Sequence, residues 1–238
     1  RNDAGSATLT YNLQVYVKPL IIRPADGSTI TVNKTMTIQS VCTATGFGTP
    51  ALTWTDQMTR MFTLSPPSTV AGTTTSGNTT DIDASNGPLK SVVLTITRTN
   101  AAYTDRGTYV CKAEVTALGS TYAASSTVTV VVQVKPTLTT TLTSPIQKLE
   151  GEDVALQFMV MAPDFPTVMG TDVTWTGPTN AILASSAKYV FDPNRRSVTV
   201  KTLTRSDAGM YTATAVNAAG SGNIALSVQV NVIPIIST

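Results

Sequence analysis

Hydrophobic and polar residues alternate with a period of two along most of this 238-residue chain. Alternation over four to eight residues predicts β-strands with one buried side and one solvent-facing side. The alternating segments are 9–15, 92–97, 128–130, 198–201 and 226–230. Clusters of Gly, Pro, Asn and Ser interrupt the pattern at 24–28, 46–50, 65–80, 85–88 and 177–180. Since no convincing stretch of helical period accompanies them, the sequence predicts an all-β fold built of sandwiches.

A repeated pattern divides the chain into domains. Three times, a turn leads into an alternating strand that ends at a proline, at Pro19, Pro136 and Pro234. The first two prolines are 117 positions apart and the last two are 98 apart, and each interval has the length of one typical domain. We therefore predict one domain over 19–135 and a second over 136–234.

The residues outside these two domains fit the same repeat. Residues 1–18 correspond to the last strand of a preceding domain, and residues 235–238 to the start of a following segment. A lone strand exposes both of its edges, so we expect 1–18 to be disordered or to pair with an adjacent segment or a neighbouring molecule. The alternative is an ordinary N-terminal strand that pairs with the first full domain.

The first full domain carries a motif of several residue types in a fixed order. The order is Cys42, Trp54, and then Asp105, Gly107, Tyr109 and Cys111 at alternate positions. This order resembles the immunoglobulin superfamily. The resemblance implies a two-sheet sandwich in which Cys42 and Cys111 bridge the sheets, Trp54 packs against the bridge and Tyr109 makes a corner hydrogen bond. Two free buried thiols are the alternative state of the cysteines.

The second domain repeats this frame without cysteines. Trp175 matches the core tryptophan, and Asp207, Gly209 and Tyr211 match the later motif. Phe158 and Ala213 stand where the family places its cysteines, and a large and a small apolar side chain can fill the volume of a bridge. The resemblance is closest to the intermediate set of cell-adhesion molecules and muscle filament proteins. It implies two tandem immunoglobulin-like sandwiches, preceded by the orphan strand of a third.

The motif aspartates are expected to have a structural role. In the family this carboxylate braces a loop through a salt bridge, so we expect Asp105 to pair with Arg98, and Asp207 with Arg205 or Arg196. Other aspartates, at 81, 83, 153, 164 and 172, match no calcium-loop spacing, and we predict no metal site.

The composition argues against catalysis and against several classes of partner. The chain has no histidine and only two cysteines, which removes the usual acid–base and nucleophilic machinery, and we predict neither enzymatic activity nor a cofactor. Its 16 basic residues are scattered and its net charge is +2, so nucleic acid is not expected as a partner. No apolar run reaches the length of a membrane span. The expected partners are other protein chains, including copies of this chain and neighbouring immunoglobulin-like domains.

Two N-glycosylation sequons occur, at Asn33 and at Asn78. Asn78 lies in the run Thr73–Thr80, which we predict to be a flexible polar loop. Together with the expected disulfide and the low charge, the sequons favour an extracellular or cell-surface location.

Three functions are consistent with these features. The first is a structural or adhesive segment of an extracellular protein with many immunoglobulin-like domains, which mediates protein contacts or filament assembly. The second is a cell-surface receptor module that recognises a ligand or a like molecule through the domain-end loops Gly46–Pro50 and Ala117–Tyr122. The third is an intracellular muscle-type filament module, which the cysteine-free second domain favours.

Overall fold

A computed structural model describes residues 8–11, 15–66, 70–83, 89–161 and 165–232. The described chain is all-β, as predicted, and its only helical elements are 3₁₀ turns at Tyr103–Asp105, Gly170–Asp172 and Arg205–Asp207. The strands up to residue 133 are β1 (Leu20–Arg23), β2 (Ser28–Asn33), β3 (Ile38–Phe47), β4 (Ala51–Thr55), β5 (Met61–Thr63), β6 (Thr73–Asp83), β7 (Leu89–Arg98), β8 (Gly107–Ala117) and β9 (Ser120–Gln133). The later strands are β10 (Thr137–Thr139), β11 (Ile146–Leu149), β12 (Val154–Gln157), β13 (Met159–Met161), β14 (Val173–Thr176), β15 (Tyr189–Phe191), β16 (Ser197–Val200), β17 (Gly209–Asn217) and β18 (Gly220–Asn231).

The described chain divides into two compact units. Among the described residues, the first contains the chain up to Ile30, Met36–Asn100 and Arg106–Val131, and the second contains Thr31–Thr35, Ala101–Asp105 and the chain from Val132 onward. The domain limits that the repeat predicts, 19–135 and 136–234, stay predictions at the level of single residues.

The first domain is a sandwich of a four-stranded and a five-stranded sheet. Their strand orders are β1-β3-β7-β6 and β2-β9-β8-β4-β5. Along β3 the residues alternate between buried and more exposed positions, so Ile38, Cys42 and Ala44 face inward. The facing positions on β8 are buried in the same way, because Tyr109, Cys111 and Ala113 alternate with solvent-facing residues. The period-two pattern of the sequence thus produces one core between the two sheets.

The second domain has a four-stranded sheet with the order β11-β18-β17-β14 and a three-stranded sheet with the order β12-β16-β15, while β10 pairs with β13. Strand β11 runs parallel to β18, and the other pairs are antiparallel. One cluster of buried apolar side chains forms the core. Its members are Val154, Leu156, Phe158, Val168, Val173, Trp175, Leu183, Val198, Val200, Leu203, Tyr211, Ala213, Ala215, Leu226 and Val228.

The predicted loop over Thr73–Thr80 is wrong. These residues are the first eight positions of β6, which pairs with β7 at the edge of its sheet. Threonine is β-branched and favours extended backbone, and an edge strand with solvent on its outer side needs few apolar residues. The polar composition therefore marked an exposed strand instead of a loop.

The segment that precedes β1 is described in part. Residues 8–11 and 15–19 carry no strand, and 1–7 and 12–14 lie outside the described residues. Residues 235–238 also lie outside them. The orphan strand and the following segment therefore stay predictions.

Candidate interaction surfaces

A disulfide joins the two sheets of the first domain. It links Cys42 on β3 with Cys111 on β8, whose Cα atoms lie 6.2 Å apart, and both residues are fully buried. Trp54 is the cross-strand neighbour of Cys111 and is also fully buried. Its indole Nε1 donates a hydrogen bond to the Leu94 carbonyl oxygen at 3.3 Å, which joins β4 of one sheet to β7 of the other. Bridge and tryptophan together fix the spacing of the sheets.

The second domain fills the same space with apolar side chains. Trp175 is the cross-strand neighbour of Ala213, as Trp54 is of Cys111, and both are fully buried. The Phe158 ring packs on Trp175 with centroids 5.7 Å apart. The Trp175 Nε1 donates to the Arg195 carbonyl oxygen at 2.8 Å. Phe158 and Ala213 thus lie in one core around Trp175, without a bridge.

The motif glycines occupy backbone conformations that other residues rarely adopt. Gly107 has φ = 136° and Gly209 has φ = 138°. A Cβ on Gly209 would lie 2.9 Å from the Pro178 Cβ, closer than side chains pack. Glycine therefore allows the chain to enter β8 and β17 directly from a 3₁₀ turn.

The motif aspartates hold these turns. Asp105 is buried and accepts a hydrogen bond from the Ala102 N–H at 2.8 Å. In the second domain Asp207 accepts from the Thr204 N–H at 2.7 Å, and its own carbonyl accepts from the Tyr211 hydroxyl at 3.0 Å. Burial raises the pKa of Tyr211, since the charged phenolate would lie in the core beside Asp207.

The expected pairing of Asp207 with Arg205 or Arg196 is wrong. Its carboxylate contacts the Lys188 ammonium at 2.6 Å. Arg205 pairs with Glu150 instead, with 3.6 Å between the Arg205 Nε and the Glu150 Oε2. Lys188 is 19 residues away in the chain and comes into reach only through the fold. Burial alone would raise the pKa of Asp207, but hydrogen bonds from Lys188 and Thr204 outweigh it and hold the pKa below its usual value.

We predict that Asp207→Asn makes the free energy of unfolding of the second domain depend less on pH in acid. A carboxylate whose pKa is lower in the folded state stabilises the fold above its unfolded pKa, near about 4, and loses this effect as the pH falls through the folded value. The variant should lower the free energy of unfolding at pH 7 by about 1–3 kcal/mol. It should also lose less stability than the wild type between about pH 5 and pH 2.

Denaturant titrations across this pH range measure both effects. Asp153→Asn is the control: the pKa of Asp153 is also lowered, by hydrogen bonds from Lys201 and Thr202, but its ion pair with Lys201 lies on the surface, where solvent screens it. The control should therefore change the stability and its pH dependence less than Asp207→Asn does. An Asp207→Asn curve parallel to that of the wild type would contradict the assignment.

The domain-end loops of the first domain contact the chain that precedes β1. The Val17 carbonyl oxygen accepts a hydrogen bond from the Phe47 N–H at 3.1 Å, and the rings of Tyr16 and Phe47 lie 4.4 Å apart. The Lys18 ammonium lies 5.5 Å from the centroid of the Tyr122 ring. A ligand for these loops would therefore share the surface with residues 16–18.

A second surface is the outer side of the β11-β18-β17-β14 sheet. In β14, β17 and β18 the outward residues alternate with core residues and are mostly hydroxyl-bearing, small or apolar. We call this surface the uncharged face. It consists of Thr174, Thr176, Met210, Thr212, Thr214, Val216, Ser221, Asn223, Ala225 and Ser227.

The centre of the uncharged face is polar and its two ends are apolar. Thr214 lies between Thr174 and Asn223 on the neighbouring strands. At the ends of β17, Met210 is 51% exposed and Val216 is 46% exposed. Charged residues are depleted in the centres of protein interfaces, because their desolvation is costly. The uncharged face therefore lacks the charges whose desolvation would oppose a protein contact.

Neither a metal-binding group nor a membrane-spanning helix occurs in the part of the chain that the structure describes. It brings no three His, Cys, Asp or Glu side chains together in a group that could hold a metal ion. It also contains no helix long and apolar enough to cross a membrane. Asp164, one of the aspartates considered for calcium, lies outside the described residues.

Comparisons with known proteins agree with this architecture. Residues 136–230 match the model of the immunoglobulin I-set domain. The human matrix-remodeling-associated protein 5 is 29% identical over 226 residues, which are 93% of this chain and 7% of that protein. This chain therefore spans only a small part of the curated relative.

Solved structures show the same fold. An I-band fragment of titin has a TM-score of 0.64 at 20% identity and covers 97% of this chain and 71% of its own. The Sidekick-1 immunoglobulin domains 1–4 have a TM-score of 0.60 at 19% identity, over 93% of this chain and 51% of their own. Both show tandem immunoglobulin-like sandwiches.

Proposed function

We propose that this chain, whose residues 136–230 match the immunoglobulin I-set model and whose fold is that of tandem immunoglobulin-like sandwiches, is a non-enzymatic, adhesive segment of a longer extracellular protein. In this role the sandwiches form a scaffold and their outer surfaces bind other protein chains, among them copies of this chain. The uncharged face of the second domain is the observation that carries the proposal.

The chemistry of that face suits adhesion that is weak in single contacts and strong in arrays. Threonine and serine hydroxyls offer hydrogen bonds, while Met210 and Val216 offer apolar area. Neither the hydroxyls nor the apolar side chains carry a charge that must be desolvated, so the desolvation free energy of a face-to-face contact is small. When many copies are displayed together, the first contact raises the effective concentration for the next ones, so contacts that are weak singly give strong adhesion together.

The location is inferred from the chemistry of the first domain. The Cys42–Cys111 bridge is of the kind that persists in oxidising compartments. Asn33 and Asn78 are both exposed, as glycan acceptors must be. The name of the human relative associates that protein with matrix remodelling, and this supports an extracellular location for the present chain.

A bead-aggregation assay tests the adhesive role. Beads coated with the chain, produced in secreting cells, should aggregate, and Thr214→Glu should reduce the aggregation at least about tenfold, because it places a charge in the centre of the contact.

Thr199→Glu is the matched control. Thr199 is half-buried, as Thr214 is, and lies between Ala155 and Val190 on the outer side of the other sheet. The proposal would be contradicted if both variants reduced aggregation equally, or if beads coated with the wild-type chain did not aggregate.

A further proposal is that segment 1–18 completes a neighbouring domain. If it does, beads coated with a chain that lacks residues 1–14 should aggregate to a different extent from beads coated with the wild-type chain.

A further inference from the structure

Strand β6 forms a free edge of the first domain. It ends the sheet order β1-β3-β7-β6, so one side of its backbone has no partner strand in the described structure. Free edges pair readily with strands of other molecules, and proteins protect them with lysines, prolines or bulges. In β6 the eight residues Thr73–Thr80 carry none of these devices. The first protected position is Asp81, whose carboxylate oxygen lies 3.5 Å from the Lys90 Nζ. The register of β6 on β7 shifts between Asp81 and Asp83.

The unprotected part of β6 favours pairing. Apart from Gly77, it consists of threonine, serine and asparagine. A Cβ on Gly77 would collide with the Val93 carbonyl oxygen, so at this point the strand lies close against β7. A long, neutral and regular edge of this kind is the type that aggregates or recruits a second strand.

Asn78 lies within this unprotected stretch. Its cross-strand neighbour is Val93. The inward positions of β6 include Thr75 and Gly77, which pair with the buried Ile96 and Leu94 of β7. Asn78 is one residue beyond Gly77 and so belongs to the opposite side of the strand. Asn78 therefore faces solvent, and Thr80, the third residue of the sequon, shares its side of the strand.

We propose that Asn78 carries an N-linked oligosaccharide whose role is to shield the β6 edge. The proposal rests on the extracellular location inferred above. In the transfer, the Asn78 Nδ2 bonds to the anomeric carbon of an oligosaccharide carried on a lipid pyrophosphate. The bond from that carbon to the pyrophosphate oxygen breaks, its electron pair leaves with the pyrophosphate, and the amide loses one proton. The hydrated sugar then occupies the space that an incoming strand would need.

Asn33 provides an internal comparison. It is an exposed sequon asparagine as well, but it is the last residue of β2 in the other sheet. A glycan at Asn33 would leave the β6 edge uncovered. The shielding role is therefore specific to Asn78.

The test uses the full chain secreted from cultured animal cells. Peptide mass spectrometry measures occupancy at Asn78, and light scattering after size exclusion measures the molar mass across a range of concentrations. We expect Asn78 to be occupied and the wild type to be monomeric. Asn78→Gln should approach twice the monomer mass as the concentration rises, whereas Asn33→Gln should stay monomeric. Asn78→Gln combined with Ser76→Lys should return to a monomer, because the lysine protects the edge.

A second measurement covers the case in which Asn78→Gln is not secreted. Endoglycosidase trimming of the folded wild type leaves a single sugar and introduces no charge, and it should produce the same dimer. Three results would overturn the proposal: an unoccupied Asn78, a wild type that is already dimeric through β6, or trimmed protein that stays monomeric. If Asn78 is unoccupied while Cys42 and Cys111 are bridged, only the shielding inference fails. Free thiols in the native protein would instead contradict the extracellular location itself.

Discussion

Replacing both Cys42 and Cys111 with alanine is expected to lower the free energy of unfolding of the first domain by about 4 kcal/mol. The bridge closes a loop between residues 69 positions apart, and its loss returns that conformational freedom to the unfolded chain. Alanine avoids the buried hydroxyl that serine would introduce among the fully buried neighbours of the bridge.

Hydrogen exchange read by mass spectrometry measures this effect domain by domain. Protection should fall throughout β3, β7 and β8, while the strands of the second domain keep theirs and act as the control within the same molecule. If the first domain were equally protected from exchange in the wild type and in the double alanine variant, the bridge would add no stability. Loss of protection in both domains would show that the two sandwiches do not fold independently.

Replacing Trp175 with alanine is expected to destabilise the second domain by about 3–5 kcal/mol. Trp175 is fully buried, its ring packs on Phe158, and its Nε1 bonds to the Arg195 carbonyl. The variant leaves a cavity and an unpaired carbonyl in a domain that has no disulfide to limit the unfolded state. Since whole domains are stable by only about 5–15 kcal/mol, it should be close to unfolding at 37 °C.

Two variants define the origin of this loss. Trp175→Phe keeps an aromatic ring and removes the N–H donor, so it should be less destabilising than alanine. Met210→Ala changes a side chain that is 51% exposed on the same sheet and should be close to neutral. Thermal unfolding of the second domain that is the same for Trp175→Ala and Met210→Ala would contradict the role of Trp175 as the centre of this core.

The strands and the inter-sheet core could be predicted from the sequence because both depend on local patterns. Alternation predicts the segments that form β7, β16 and β18, and the resemblance of the motif around Trp54 to the immunoglobulin superfamily implies that Cys42 and Cys111 meet across the sandwich. The disulfide joins the two cysteines that the motif indicated.

Features that depend on distant partners could not be predicted in this way. Thr73–Thr80 forms a strand although its polar composition predicts a loop, because the apolar residues that pair with it belong to β7 and not to β6 itself. Lys188 reaches Asp207 only after β15 and the 3₁₀ turn before β17 come together. The uncharged face emerges only once the registers of β14, β17 and β18 place their outward residues side by side.

The most direct test of the extracellular location, on which the adhesive role depends, is the state of the two cysteines in the protein isolated from its own source. Free thiols are alkylated before digestion, and peptides are then compared by mass spectrometry with and without reduction. We expect one linked peptide that contains Cys42 and Cys111, with neither residue alkylated before reduction. Two alkylated cysteines would contradict the extracellular location and would favour an intracellular filament module.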